Sequence, residues 1–221
     1  ISVWQEVYSV NNYIKAEKYF LKFSEIFEQN KTQYLSYAIS LMGLGGVYEA
    51  IGDYCKAEKH LLEAKKILFQ EKDTPIMDKA TLLNNLSTLY VTLGDYAQAE
   101  TYALQALDLA RFNEDKISVI QYSTFVNNLG TIYSCMGNYI EAERCYKESL
   151  LIRRKIAKNH DYATSLYNLG ELYHDVEKYS LAKKYYKQAF EVGKSLEIVS
   201  VFTSIYPLNG LAKLYKDNGN F

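Results

Sequence analysis

Proline and glycine are scarce in this chain. Two Pro and 11 Gly among 221 residues fall below the usual levels of roughly 5% and 7%, which argues against loop-rich β structure and low-complexity linkers and leaves helix as the expectation. Excess charge is also lacking: 25 Lys and Arg against 26 Asp and Glu give a net −1. That balance excludes a generally basic nucleic-acid-binding domain, and no nucleic acid is expected as a partner. No run approaches the roughly 18 apolar residues of a membrane span, and the opening ISVWQEVYSV has neither the basic flank nor the apolar stretch of a signal peptide, so no membrane association is expected. Cysteine is sparse. Cys55, Cys135 and Cys145 form no CxxC pair, and an odd count of scattered thiols fits a reducing compartment, with cytoplasm as the expected location. No Walker loop, GxSxG, HExxH or GxGxxG sequence occurs, and three His are few for a metal constellation, so neither an enzyme nor a cofactor is expected.

What is plentiful is tyrosine, with 22 residues against 9 Phe and 1 Trp. A fold must place that many half-polar rings at defined positions, and self-similarity indicates where. A phrase of Gly, polar, Tyr, two residues, Ala, charged recurs as GDYCKAE (52–58), GDYAQAE (94–100) and GNYIEAE (137–143). Looser copies are NNYIKAE (11–17) and EKYSLAK (177–183), and GNF (219–221) opens a last one. The anchoring aromatics Tyr13, Tyr54, Tyr96, Tyr139, Tyr179 and Phe221 stand 41, 42, 43, 40 and 42 residues apart. An earlier phrase precedes each turn: LGGVY (44–48), NNLSTLY (84–90), NNLGTIY (127–133), YNLGELY (167–173) and NGLAKLY (209–215). In each, Leu and Tyr four apart share one helix face.

Gly after that first helix can take the left-handed conformation that ends a helix, and a second helix follows at once, so each unit is a helical hairpin. The second helix has its own stripe, as in Tyr96, Ala99, Ala103, Ala106 and Leu107 or Tyr179, Ala182, Tyr186, Ala189 and Phe190. Two helices cannot bury such faces alone, so the hairpins must stack into an all-α solenoid. Glu177 stands where other units have Gly. It would cost roughly 1 kcal/mol or more in the left-handed conformation, so a different turn geometry is an alternative there.

The two phrases together resemble the tetratricopeptide repeat across nearly the whole chain. A spacing near 42 rather than 34 is similar to the longer-helix class found in kinesin light chains and in arrays of bacterial regulators. The stretch 148–173 looks like a kinesin-light-chain unit, except at Asp161, where that family usually has Pro. The resemblance implies a right-handed superhelix of stacked antiparallel hairpins with a concave groove. Its expected units are a partial repeat at 1–30, repeats at 31–73, 74–115, 116–158 and 159–199, and a partial repeat at 200–221. Both ends cut through a unit, so the chain is expected to be an excerpt of a longer protein.

In the resembled arrays, the first helices face the groove. Asn85, Asn128 and Asn168 lie five residues before Tyr90, Tyr133 and Tyr173, with Asn84 and Asn127 one residue earlier. Thr81 and Thr124 lie one turn before them, and Thr88, Thr131 and Glu171 one turn after. A row of amides can donate to and accept from an extended peptide backbone; the alternative use is hydrogen bonding between neighbouring first helices. Tyr167 and Tyr206 occupy groove places where a rigid ring can anchor a partner. Tyr34, Tyr37, Tyr122 and Tyr162 are expected at the junctions between repeats. Asn and Thr make the groove nearly neutral. Only Lys213 and Lys216 offer cations, which disfavours capture of a C-terminal carboxylate.

Cys135 and His174 lie one position apart on adjacent first helices, an arrangement that supports nucleophilic catalysis only if the two meet within hydrogen-bond reach. The expected function is therefore a non-enzymatic module that binds a peptide segment or protein in its groove. The alternative is a regulatory or sensor region of a larger effector, such as a caspase-like protease or a peptide-pheromone receptor, with an intramolecular contact to that effector domain.

Overall fold

The computed structural model describes residues 10–28, 34–111, 119–156, 159–196 and 205–217. Trp4, Tyr8 and the GNF phrase lie outside them. Ten α-helices occupy the described residues: α1 (Val10–Glu28), α2 (Tyr34–Ala50), α3 (Tyr54–Gln70), α4 (Ile76–Thr92), α5 (Tyr96–Arg111), α6 (Val119–Cys135), α7 (Tyr139–Ile156), α8 (His160–Asp175), α9 (Tyr179–Ser195) and α10 (Tyr206–Asp217). The chain divides into two compact units, 1–117 with α1–α5 and 118–221 with α6–α10. Within each, consecutive helices pack as antiparallel hairpins: α2 on α3, α4 on α5, α6 on α7 and α8 on α9. The small stripe residues lie at the contacts, with Ala57, Ala99, Ala142 and Ala182 all fully buried.

The hairpin turn is the same each time. Gly52, Gly94 and Gly137 have φ of 82°, 77° and 75°. The amide of the next residue donates back to the first-helix Tyr, as Asp53 N to Tyr48 O at 2.9 Å and Asn138 N to Tyr133 O at 2.8 Å. This pairing satisfies carbonyls that the helix end would leave open. The residue after Gly then caps the second helix: the Asp53 carboxylate accepts from Lys56 N at 3.2 Å and that of Asp95 from Gln98 N at 3.1 Å. Glu177 adopts φ 59° and its turn keeps the pattern, with Lys178 N donating to Tyr173 O at 2.8 Å. The alternative geometry considered for this turn is thus not taken. Lys178 provides no side-chain cap for α9, so this turn lacks both the Gly and the cap.

Aromatic wedges set the spacing between hairpins. Tyr186 is fully buried, and its ring sits so close to α8 and α10 that a Cβ on Gly170 or Gly210 would lie 2.5 or 2.6 Å from it. Gly46 on α2 has open space where its Cβ would go.

Glu177→Gly is expected to raise stability by roughly 0.5–1 kcal/mol, because the left-handed penalty for a side chain exceeds the chain-entropy cost of Gly. Lys178→Asp should add about 1 kcal/mol through the restored cap. Urea denaturation reads both, and a lower midpoint for Glu177→Gly would contradict the strain. Gly170→Ala should cost about 1–3 kcal/mol by overpacking against Tyr186, while Gly46→Ala should gain up to about 1 kcal/mol from helix propensity. Thermal melts of the two variants should move in opposite directions.

Candidate functional site

Within each unit, first helices touch across successive hairpins, α2 with α4, α6 with α8 and α8 with α10, whereas among the described residues successive second helices of one unit stay more than 8 Å apart at their Cα atoms. Within each unit the first helices therefore form the close, inner layer, and the candidate residues stand on them.

Many of the candidates are already used by the stack. In the second unit, Asn127 is buried, and its Oδ1 accepts from Asn168 Nδ2 at 3.3 Å and from Ser165 Oγ at 3.4 Å. Two members of the Asn series thus bond each other between neighbouring first helices. Arg153, buried on α7, extends this network. Its Nε donates to Ser123 Oγ at 3.2 Å, Nη1 to Ser165 Oγ and the Asp161 carbonyl at 2.8 Å each, and Nη2 to Thr124 Oγ1 at 3.2 Å. Neutral oxygens accept all four of these bonds and the Asp161 carboxylate adds an opposite charge nearby, consistent with the rule that buried charge is kept only where it is hydrogen-bonded or paired. Thr131 accepts from the Tyr146 hydroxyl at 3.2 Å and donates to Asn127 O at 3.4 Å.

In the first unit, Thr81, Asn84, Asn85 and Thr88 are half-buried on α4. Thr88 Oγ1 donates to Asn85 O at 2.9 Å. The Asn85 side-chain amide makes no hydrogen bond among the described residues, while Asn84, and Asn128 of the second unit, each have a partner. Tyr167 stacks on Tyr206 at 5.7 Å and tilts against Tyr186 at 5.8 Å. Glu171 accepts from the hydroxyl of Tyr186, and burial, then the negative charge of Glu171, raises the pKa of Tyr167.

A recurring constellation missed in the sequence ties the hairpins together. The Tyr ending a first helix donates to a Glu on the second helix of the preceding hairpin: Tyr48 to Glu17 and Tyr90 to Glu58 at 2.6 Å, and Tyr173 to Glu143 at 2.7 Å. The same ring stacks on the second helix of its own hairpin, at 5.3 Å on His60, 5.5 Å on Tyr102 and 5.4 Å on Tyr185. Its signal was the charged residue closing each GDYxxAE phrase. In the fifth phrase that residue is Lys183, and the contact changes character: the Lys183 ammonium lies 4.7 Å from the Tyr215 ring centroid. Tyr37 and Tyr122 lie within first helices, not before them, and bond Glu63 and Glu148 of their own hairpins at 2.9 and 3.0 Å.

Tetratricopeptide-repeat family models match residues 80–111 and 121–195, the stretches that carry the repeated hairpins. Over these stretches the chain is an array of tetratricopeptide repeats. Solved structures share the fold. BtubC (BKLC) from P. vanneervenii aligns with TM-score 0.77 at 19% identity, over 95% of this chain and 85% of its own. A Podospora anserina kinesin-light-chain array of nearly identical TPR-like repeats aligns with TM-score 0.66 at 14% identity, over 88% and 93%. The tetratricopeptide repeat sensor protein of the signal-transduction ATPase class from Pyrococcus horikoshii aligns with TM-score 0.69 at 19% identity, over 82% of this chain and 27% of its own. Comparison with curated protein sequences gives no match.

On this repeat scaffold, Cys135 is exposed at the end of α6. Partial burial, with the negative charge of Asp175, pushes its thiol pKa up, which suppresses the reactive thiolate. His174 is buried, with Nδ1 3.8 Å from Asp175 Oδ1. Among the described residues no cluster of three His, Cys, Asp or Glu could hold a metal ion, and no helix is long and apolar enough to cross a membrane.

The tyrosine clamps make the repeats alkali-sensitive. Burial, then the bond to its carboxylate partner, pushes Tyr48 and Tyr173 up to about 12 from the ordinary 10.0. A raised folded-state value means their stabilisation is complete below about pH 10 and is lost as pH climbs through about 12. Urea midpoints should therefore fall across that window. Tyr48→Phe and Tyr173→Phe should lower the midpoint at pH 8 and flatten the alkaline fall; an unchanged alkaline slope in the variants would rule the clamps out as its source.

Proposed function

We propose that the chain is a non-enzymatic protein-interaction module that takes a peptide segment or protein partner along the inner layer of first helices. The observation that carries this reading is the half-buried Asn85 amide on α4, which has no hydrogen bond among the described residues. Such a group loses nothing internal when it turns to a peptide backbone, to which it can both donate and accept. Asn84, Thr81 and Thr88 flank it in the first unit. Asn128, Asn168, Thr124, Thr131, Glu171 and Tyr167 are the corresponding candidates in the second. Asn127 and Asn168 serve the stack as well, through their mutual bond. A sensor region of a larger effector is the second reading, favoured by the likeness to a protein whose tetratricopeptide repeats are described as its sensor.

The test begins with a partner isolated by pull-down and sequenced, whose affinity is then measured by calorimetry against variants. Asn85→Ala should weaken binding about fivefold, the worth of roughly one net hydrogen bond, without moving the melting temperature. Asn127→Ala should instead lower the melting temperature, because it strips a buried acceptor from Ser165 and Asn168. Partner affinity that Asn85→Ala leaves unchanged would overturn the groove reading, which rests on that amide.

A further inference from the structure

Charge is sorted between the two helices of each hairpin. On α2, α4, α6 and α8 the only Lys or Arg is Lys79, against Glu49, Asp78, Asp161, Glu171 and Asp175. Helix α6 has no charged residue at all. The cations crowd instead on second helices, with five on α7 and four on α9. On these four first helices acid thus outnumbers base.

In the second unit this charge meets exposed aromatic surface. The half-buried rings of Tyr167 and Tyr206 stack at 5.7 Å across α8 and α10. Glu171 is held in place by the hydroxyl of Tyr186. Asp175 follows one turn later with its side chain 45% exposed. Its negative charge reaches inward, helping to push up the hydroxyls of Tyr146, Tyr167 and Tyr186. Helix α10 does bring Lys213 and Lys216, both exposed, but among the described residues neither forms an ion pair with Glu171 or Asp175.

We infer that this patch, Tyr167, Tyr206, Glu171 and Asp175, receives an arginine side chain of a basic partner segment. A planar guanidinium can lie on a tyrosine face while its N–H groups meet carboxylate, and Arg does both better than Lys because it is flat, forked and weakly hydrated. The cation-free walls of α6 and α8 let the segment approach without like-charge repulsion. This inference rests on the groove reading above and adds the partner's chemistry to it.

The probe is a fluorescein-labelled peptide of four Gly-Ser-Arg repeats, with matched peptides carrying Gln or Glu in place of Arg, measured by fluorescence anisotropy on the whole chain. The Arg peptide should bind roughly tenfold tighter than the Gln peptide, and the Glu peptide weakest. Glu171→Gln should weaken the Arg peptide about fivefold or more while its amide oxygen still accepts from Tyr186. Tyr206→Thr, which installs the residue type of the equivalent place in earlier repeats, should weaken it too. Glu191→Gln, an exposed change on α9, should not. Equal affinity for the Arg and Gln peptides, or the same effect from Glu171→Gln and Glu191→Gln, overturns the proposal. If Asn85→Ala nonetheless weakens the isolated partner, the groove reading stands without the arginine subsite; if it does not, both fail.

Discussion

The hydrogen bond from a first-helix Tyr to a Glu of the preceding hairpin is the contact on which the rest of the array depends. A two-helix unit exposes an apolar stripe on each side and is stable only against neighbours. Apolar contact between stripes is permissive of sliding, because Ala and Leu recur at every turn. The Tyr hydroxyl is not permissive. It is partly buried, needs an acceptor, and finds one only when the two hairpins are in register. Its ring then lies flat on the following second helix, so a single side chain spans three helices. That geometry fixes how close the first helices come and hence what the inner layer can present.

Polar groups near that layer divide into those spent on the stack and those left over. Arg153, Ser165, Asn127 and Asn168 form one network in the second unit, and each donor there answers an acceptor on a neighbouring helix. A site built from groups so committed would have to break internal bonds to bind anything. The Asn85 amide carries no such cost, whereas Glu171 already accepts from the Tyr186 hydroxyl and Asp175 stands 3.8 Å from His174 Nδ1. Arg153, on a second helix, thus serves packing.

The repeat period, the hairpin, the turn Gly and the helix caps were all legible in the residues, because each is a local property. Left-handed φ favours Gly, Asp and Asn cap, and apolar residues recur at three and four. Even Glu177 was recognisable as an anomaly, and the structure resolves it as a strained turn kept in place by its neighbours. The Asn series was legible as a series but not as a mixture of roles. Asn85 and Asn168 occupy the same repeat position, yet only Asn168 meets the carbonyl of Asn127.

Local periodicity thus determined the fold class and which residues stand on first helices, since both follow from spacing within one chain segment. The partners of those residues were decided by tertiary structure. Tyr48 and Glu17, or Asn127 and Asn168, are 31 and 41 residues apart, a separation no helical period links. They meet only through the translation and rotation that one hairpin makes on the next. That step is set by how Tyr186, Gly170 and their counterparts pack, and it is a property of surfaces in contact rather than of any single stretch of sequence.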